Sequence, residues 1–188
     1  MIDDERTGAV TNTRFRLSEQ LELSFCDAGA VDIIVSFVKH SGIAMMRPSL
    51  MRLLDNGVGV RILTSTYLGI TDPFALRVLF DLRMKGADVR VFDLDGRSFH
   101  PKSYIIHNKD GTTEVFIGSS NISRSALVDG MDWNYRLDSR NDPHSVKTFY
   151  DGFDRLFVKH SFILTEEMVE YNTFTARKLQ KEYCSCSS

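Results

Sequence analysis

Cysteine is scarce in this chain of 188 residues, and the three present, Cys26, Cys184 and Cys186, are an odd number. That excludes a framework built wholly of paired disulfides. Cys184-Ser185-Cys186 offers two thiolates, short of the four ligands of a structural zinc site. Long apolar runs are missing as well. The longest, Val31 to Val38, falls far short of a bilayer and carries Asp32. Met1 to Arg6 is charged with no apolar segment behind it, so no secretory signal is expected and the cytoplasm is the expected compartment. An excess of charge is lacking too: 23 basic against 25 acidic residues leave a net charge of −2. A protein that coats nucleic acid through bulk charge is therefore disfavoured, whereas a cleft with local positive potential is not. No linker rich in Gly, Ser or Pro and no internal repeat divides the chain. One domain over residues 14–183 is expected, between a flexible N-terminus (1–13) and a disordered tail (184–188).

What is present is an alternation of element types. Leu17, Leu21 and Phe25 recur at helical spacing, with Gly29 as the expected stop. Strands are predicted at Val31–Val38, Val58–Leu63 and Val89–Leu94. Between them lie a helix from Ile43 to Leu54, with Pro48 inside it, and another from Asp72-Pro73 to about Lys85. Two short strands, Ser103–His107 and Glu114–Ile117, flank Asn108-Lys109-Asp110-Gly111, a hairpin signal. A short helix over Ser123–Leu127, a strand over Trp133–Leu137 and two helices, one opening at Asp142-Pro143 and one over 166–182, complete the reading. The order predicts an α/β fold: a mixed sheet with helices on both faces.

Two motifs carry chemistry. On an extended strand His100, Lys102 and Tyr104 share a face. An imidazole can attack phosphorus or shuttle a proton near neutral pH, and an ammonium neutralises phosphoryl oxygens. Taken alone, His100-Pro101-Lys102 is no more than a weak signal. Gly118-Ser119-Ser120-Asn121 follows the next strand. Its glycine permits close backbone approach, and its hydroxyls and amide can bind phosphate oxygens, although a Ser/Asn-rich helix cap is the bland alternative. The hairpin would bring the two together.

On these residues the sequence resembles the phospholipase D, or HKD, superfamily. The signature is His-x-Lys, an aspartate after four further residues, Gly-Ser-x-Asn, and an acidic residue roughly ten positions later. His100, Lys102, Gly118, Ser119, Asn121 and Asp132 match it. The wording Ile117 to Leu127 followed by Asp132-Trp133-Asn134 is most similar to phospholipase D-like nuclease domains found beside superfamily II helicases and in metal-independent restriction endonucleases. His107 stands where the family has its aspartate, and Asp132 where glutamate is common. The resemblance implies a phosphodiesterase, with DNA a better-matched substrate than RNA, acting without metal or other cofactor. His100 would be the nucleophile, Lys102 and Asn121 would hold phosphoryl oxygens, Ser119 would line the site, and Asp132 would orient His100 or Lys102. The mechanism needs two His-x-Lys elements and the chain has one, so a homodimer sharing one site is implied. A catalytically impaired binding module and a phospholipid-acting enzyme are the alternatives.

Other candidates are weaker. Lys39 and His40 leave the first strand where open α/β sheets place ligands, or belong to a solvated loop. Thr64 leaves the second strand similarly, with Ser65, Thr66 and Tyr67. Ser120 and Arg124 are candidate substrate contacts. Arg97, Lys109, Arg124, Arg136 and Arg140 could form a basic rim or stand as separate solvated charges. Trp133 reads as core packing in preference to a base-stacking platform.

Overall fold

The computed structural model describes residues 8–12, 15–66, 69–93 and 97–185. In chain order the elements are β1 (Gly8–Val10), α1 (Leu17–Phe25), β2 (Ala28–Val35), α2 (His40–Asp55), β3 (Gly59–Thr64), α3 (Pro73–Met84), β4 (Asp88–Phe92), β5 (Lys102–Asn108), β6 (Thr113–Gly118), a single π-helical turn (Ser125–Asp129), β7 (Asn134–Asp138), α4 (Pro143–Lys159), β8 (Ser161–Ile163) and α5 (Glu166–Ser185). The strands form one mixed sheet in the order β1-β7-β6-β5-β2-β3-β4-β8. Pairing of β2 with β3 and of β3 with β4 is parallel; the remaining pairs are antiparallel.

The period of two along β2 divides the core. Val31, Ile33 and Val35 pack against residues of α1, α2, α3 and α5, among them Leu21, Leu50, Leu79 and Val169. Ile34 faces the other way, with Leu63, Ile105 and Val115, onto Val146, Phe153 and Phe157 of α4. Helices thus cover both faces, as expected, with four on one side and α4 on the other. Asp72 and Asp142 cap α3 and α4 by accepting from Phe74 N (2.8 Å) and Ser145 N (2.9 Å), each followed by proline at the first helical position. Pro48 is accommodated on the exposed side of α2. The β5–β6 turn places Gly111 at φ 86°, the conformation that the Asp-Gly sequence favours.

Four expectations need correction. Within the N-terminal segment, expected to be flexible, Gly8–Val10 is a strand that pairs with β7 and supplies partners for an otherwise open edge. Strand β8 went unread: three residues, two of them exposed apolar side chains, give no alternation to detect, yet they pair with β4 at the opposite edge. Gly29 lies inside β2, the first helix having ended at Phe25. Helix α5 continues to Ser185, into the segment expected to be a tail, since no glycine or proline stops it. Tyr67, Leu94 and residues 186–188 lie outside the described residues. Among the described residues no helix is long and apolar enough to cross a membrane.

Candidate functional site

The antiparallel order β6-β5-β2 brings one end of the sheet together. Val35 at the end of β2 pairs with Lys102 at the start of β5, Ser103 with Ile117, and Gly118 at the end of β6 with Asn134. His100-Pro101-Lys102 and Gly118-Ser119-Ser120-Asn121 therefore meet at one edge, next to the segment that leaves β2 for α2.

Lys102 is the best-held group there. Its ammonium donates to Ser36 Oγ (2.9 Å) and to the His100 carbonyl (2.7 Å). An ammonium has three protons, so one remains for a ligand. Burial lowers the Lys102 pKa from the ordinary lysine value, and the charge of Asp132 opposes that fall. Ser36 was missed from the sequence; it is a buried serine fixed by Ser65, whose hydroxyl donates to the Ser36 carbonyl (2.8 Å). His100 is exposed. On the α4 side, a mainly apolar cavity of about 350 Å³ has His100, Lys102, Ile117, Phe149 and Phe153 in its wall.

The second motif is set by close backbone approach. A Cβ on Gly118 would lie 2.1 Å from the Trp133 carbonyl oxygen, so no other residue fits without moving β7. Ser119 follows. Its N–H donates to the Trp133 carbonyl (3.0 Å), its hydroxyl donates to Asp132 Oδ1 (2.7 Å), and the same oxygen accepts from Trp133 N (3.1 Å). Asp132 thus binds Ser119 and reaches Lys102 through charge. Asn121 is buried, with Oδ1 accepting from Phe37 N (3.1 Å), which leaves Nδ2 as the donor end of the amide. Beyond it, Lys39 N donates to the Ile122 carbonyl (2.8 Å), and a Cβ on Gly42 would lie 2.5 Å from Ile122 C. The motif loop and the start of α2 are packed as one unit.

Several candidates fall elsewhere. Ser120 is fully buried beneath the edge: its hydroxyl accepts from Asn134 Nδ2 (2.8 Å) and donates to the Ala126 carbonyl (3.3 Å), so it supports the loop and is not a contact for substrate. Its carbonyl accepts from the buried Tyr104 hydroxyl (3.3 Å), and burial, with Asp132 adding to it, raises the Tyr104 pKa. Thr64 is also fully buried and cannot meet a substrate. Lys39 donates its ammonium to the Ile70 carbonyl (2.6 Å), while His40 is exposed and edge-on to Phe74. Arg124 is exposed, with its N–H to Ser41 Oγ (3.4 Å). The basic rim breaks up. Arg136 pairs with Glu114 (2.8 Å), Arg140 pairs with Asp138, and Lys109 sits at the far tip of the hairpin. Trp133 is not in the core; it is 75% exposed.

His107 lies at the other end of β5, roughly 17 Å from Lys102 by the rise of a strand. Its Nε2 is 3.0 Å from Asp32 Oδ2, and its Nδ1 is 3.2 Å from Thr113 Oγ1. Asp32 also accepts from Arg61 Nε (2.6 Å) and Nη2 (2.7 Å), and Arg61 reaches Asp154 (3.0 Å). This charged cluster borders a cavity of about 620 Å³ and is separate from the His100 edge. Among the described residues, no group of three or more His, Cys, Asp or Glu is placed to hold a metal ion.

The model of the family described as "Cardiolipin synthase, PLD-like domain" matches residues 29–157. The chain belongs to this phospholipase D-like family. The matched span runs from β2 to the end of α4 and contains both motifs. No curated protein matches the sequence. Among solved structures, this phospholipase D-like domain is similar to NucT from Helicobacter pylori (TM-score 0.57, 16% identity), covering 77% of this chain and 88% of that one. It is similar to TrmBL2, an archaeal chromatin protein (TM-score 0.53, 15% identity, 85% of this chain and 54% of that one). It also resembles phosphatidylserine synthase from Haemophilus influenzae (TM-score 0.62, 12% identity), over 93% of this chain and 45% of that one. The chain thus spans about half the length of the latter two. At these identities the likeness is one of fold.

Proposed function

We propose that this phospholipase D-like domain is a metal-independent phosphodiesterase that cleaves nucleic acid, DNA in preference to RNA, through a covalent phosphohistidine. The observation that carries the reading is the meeting of His100 and Lys102 with Ser119 and Asn121 at one sheet edge, with the Lys102 ammonium held between Ser36 and the His100 carbonyl. In the first step an imidazole nitrogen of one His100 bonds to phosphorus, and the bond from phosphorus to the leaving oxygen breaks. The His100 of a second chain donates the proton that the leaving oxygen takes up. In the second step that histidine accepts a proton from water. The resulting hydroxide displaces the first imidazole, releasing a phosphate monoester. Lys102 and the Asn121 amide would hold the nonbridging oxygens, so the positive charge comes from the protein and the reading calls for no metal. Asp132 would fix Ser119 and sustain the charge on Lys102.

One chain supplies one His100, and the scheme uses two; a homodimer with the His100 edges facing each other is part of the proposal. The fold shared with TrmBL2, an archaeal chromatin protein with a mode of DNA binding of its own, supports a nucleic-acid substrate. The wording of the second motif supports a role as the nuclease module of a larger helicase or restriction-type protein.

The test is cleavage in EDTA of labelled DNA, RNA, bis(p-nitrophenyl) phosphate and phosphatidylcholine, beside His100→Ala. EDTA-resistant cleavage of DNA that His100→Ala abolishes is the expected result. Binding without turnover would replace the reading with a phosphate- or DNA-binding module. Turnover of lipid alone would replace it with a phospholipid enzyme.

A further inference from the structure

Trp133 is the single tryptophan of the chain and stands 75% exposed beside the candidate site. An indole is a large apolar body, and its ordinary place is against other apolar groups. An exposed tryptophan on a loose loop would need no account. Here the backbone that carries it is fixed on both sides. Its N–H donates to Ser119 Oγ (3.1 Å) and its carbonyl accepts from Ser119 N (3.0 Å). The same carbonyl sits where a Cβ on Gly118 would be. Asp132, one residue before, is bound to the same Ser119 hydroxyl. The ring is thus displayed from a frame rigidly related to the motif that would hold the phosphate. A pre-ordered aromatic surface loses little freedom when something settles on it.

The surroundings indicate what that is. Ser119 and Asp129 are exposed polar groups, Asp132 is half-buried, and Met131, at 98% exposure, is the apolar neighbour in sequence. The centre of a protein–protein interface is depleted of charge around its aromatic anchors. Here the rings of Trp133 and Tyr135 (47% exposed), two residues apart, stand with a hydroxyl and two carboxylates, a setting that suits flat polar heteroaromatic rings better. We propose that Trp133 is a stacking platform for an unpaired base of a single-stranded nucleic acid whose phosphate lies at His100 and Lys102. The proposal rests on the phosphodiesterase reading and narrows its substrate to single strands, because a base within a duplex has no free face to offer. Stacking of this kind tolerates any base, so it implies no sequence preference.

The sole tryptophan makes its own fluorescence a probe of the site. The full chain carrying His100→Ala, which cannot turn over, is titrated with a short oligodeoxythymidylate, and binding is followed in parallel by anisotropy of the end-labelled strand. The expected result is saturable quenching of Trp133 in step with the anisotropy, with weaker binding of the same strand annealed to its complement. Trp133→Ala should weaken binding of the single strand roughly 5- to 100-fold, and Trp133→Phe by much less. Binding that leaves the emission unmoved and is indifferent to Trp133→Ala overturns the proposal, as does the absence of binding. An emission shift that follows protein concentration alone, with the oligonucleotide without effect, also overturns it and assigns the ring to contact with a second copy. The two readings fail separately. Quenching with no cleavage by the wild-type chain removes the phosphodiesterase reading alone; cleavage with a silent Trp133 removes this inference alone.

Discussion

The ammonium of Lys102 lies 2.9 Å from the hydroxyl of Ser36, linking the start of β5 to the end of β2. Because the same ammonium holds the His100 carbonyl, Ser36 positions the two motif residues together. Ser36→Ala should lower kcat/KM on bis(p-nitrophenyl) phosphate roughly tenfold, the size expected for losing one hydrogen bond to a charged group. Ser36→Thr, which keeps the hydroxyl, should restore most of it. A merely structural serine would instead show unchanged kinetics in the folded fraction of Ser36→Ala.

Asp132 acts on Lys102 through charge. Burial pulls the Lys102 pKa down and Asp132 pushes it back up. An ammonium that must be charged to hold phosphate loses that role as pH rises through its pKa, so Lys102 sets an alkaline limb. Asp132→Asn removes the opposing charge while keeping an acceptor for the Ser119 hydroxyl. The alkaline limb of kcat/KM should therefore move to lower pH. A profile that keeps its position would show that Asp132 and Lys102 are not coupled.

Gly118 owes its identity to the Trp133 carbonyl, which occupies the place of a Cβ. Gly118→Ala forces β6 and β7 apart where they carry Ser119 and Asn134. It should destabilise the fold by about 1–3 kcal/mol, the usual cost of overpacking. Urea unfolding gives the number, and Gly152→Ala, inside α4 with open space around it, is the control that should stabilise the fold by up to about 1 kcal/mol.

How much of this was legible in the sequence follows from the range of each interaction. Helix starts at Asp72 and Asp142, and the turn at Gly111, are local chemistry and were readable. The meeting of His100-Pro101-Lys102 with Gly118-Ser119-Ser120-Asn121 was readable because one hairpin joins them. Ser36 was not, since its importance depends on pairing between β2 and β5, 66 residues apart. Ser120 and Thr64 were misplaced because a motif reports residue type and not which way a side chain turns. Trp133 was misread for a similar reason: hydrophobicity predicts burial, and here the rigid frame around Ser119 holds it outside.

The Asp32 cluster should make folding acid-sensitive. Burial is the largest influence on Asp32 and would raise its pKa, but hydrogen bonds and charge from Arg61 and His107 together hold it below the ordinary aspartate value. A carboxylate whose folded pKa is depressed contributes stability above its unfolded pKa of about 3.9, and that stability is lost as pH falls through the folded value. The chain should therefore begin to lose stability as pH falls below about 4, and the loss continues to the lower pH at which the folded Asp32 protonates. Asp32→Asn should cost about 3 kcal/mol at neutral pH, the lower end for breaking a buried pair, because Arg61 keeps Asp154. The variant should also show a shallower acid dependence in urea unfolding. An equally steep acid loss in Asp32→Asn would assign the sensitivity to other carboxylates.

The shared site makes a prediction that mixing can test. If each cleavage uses one His100 from each of two chains, a mixed dimer of wild type and His100→Ala has lost either the nucleophile or the acid. After full subunit exchange, the fraction of dimers with both histidines is the square of the wild-type fraction. Activity per total protein should then fall along that square as His100→Ala is added, so an equal mixture retains about a quarter of the wild-type rate and not half. A linear fall would mean that each chain works alone, and the single His-x-Lys element would then have to supply both nucleophile and acid. Tagged copies of the two chains, recovered together after mixing, establish that exchange took place before the rates are compared.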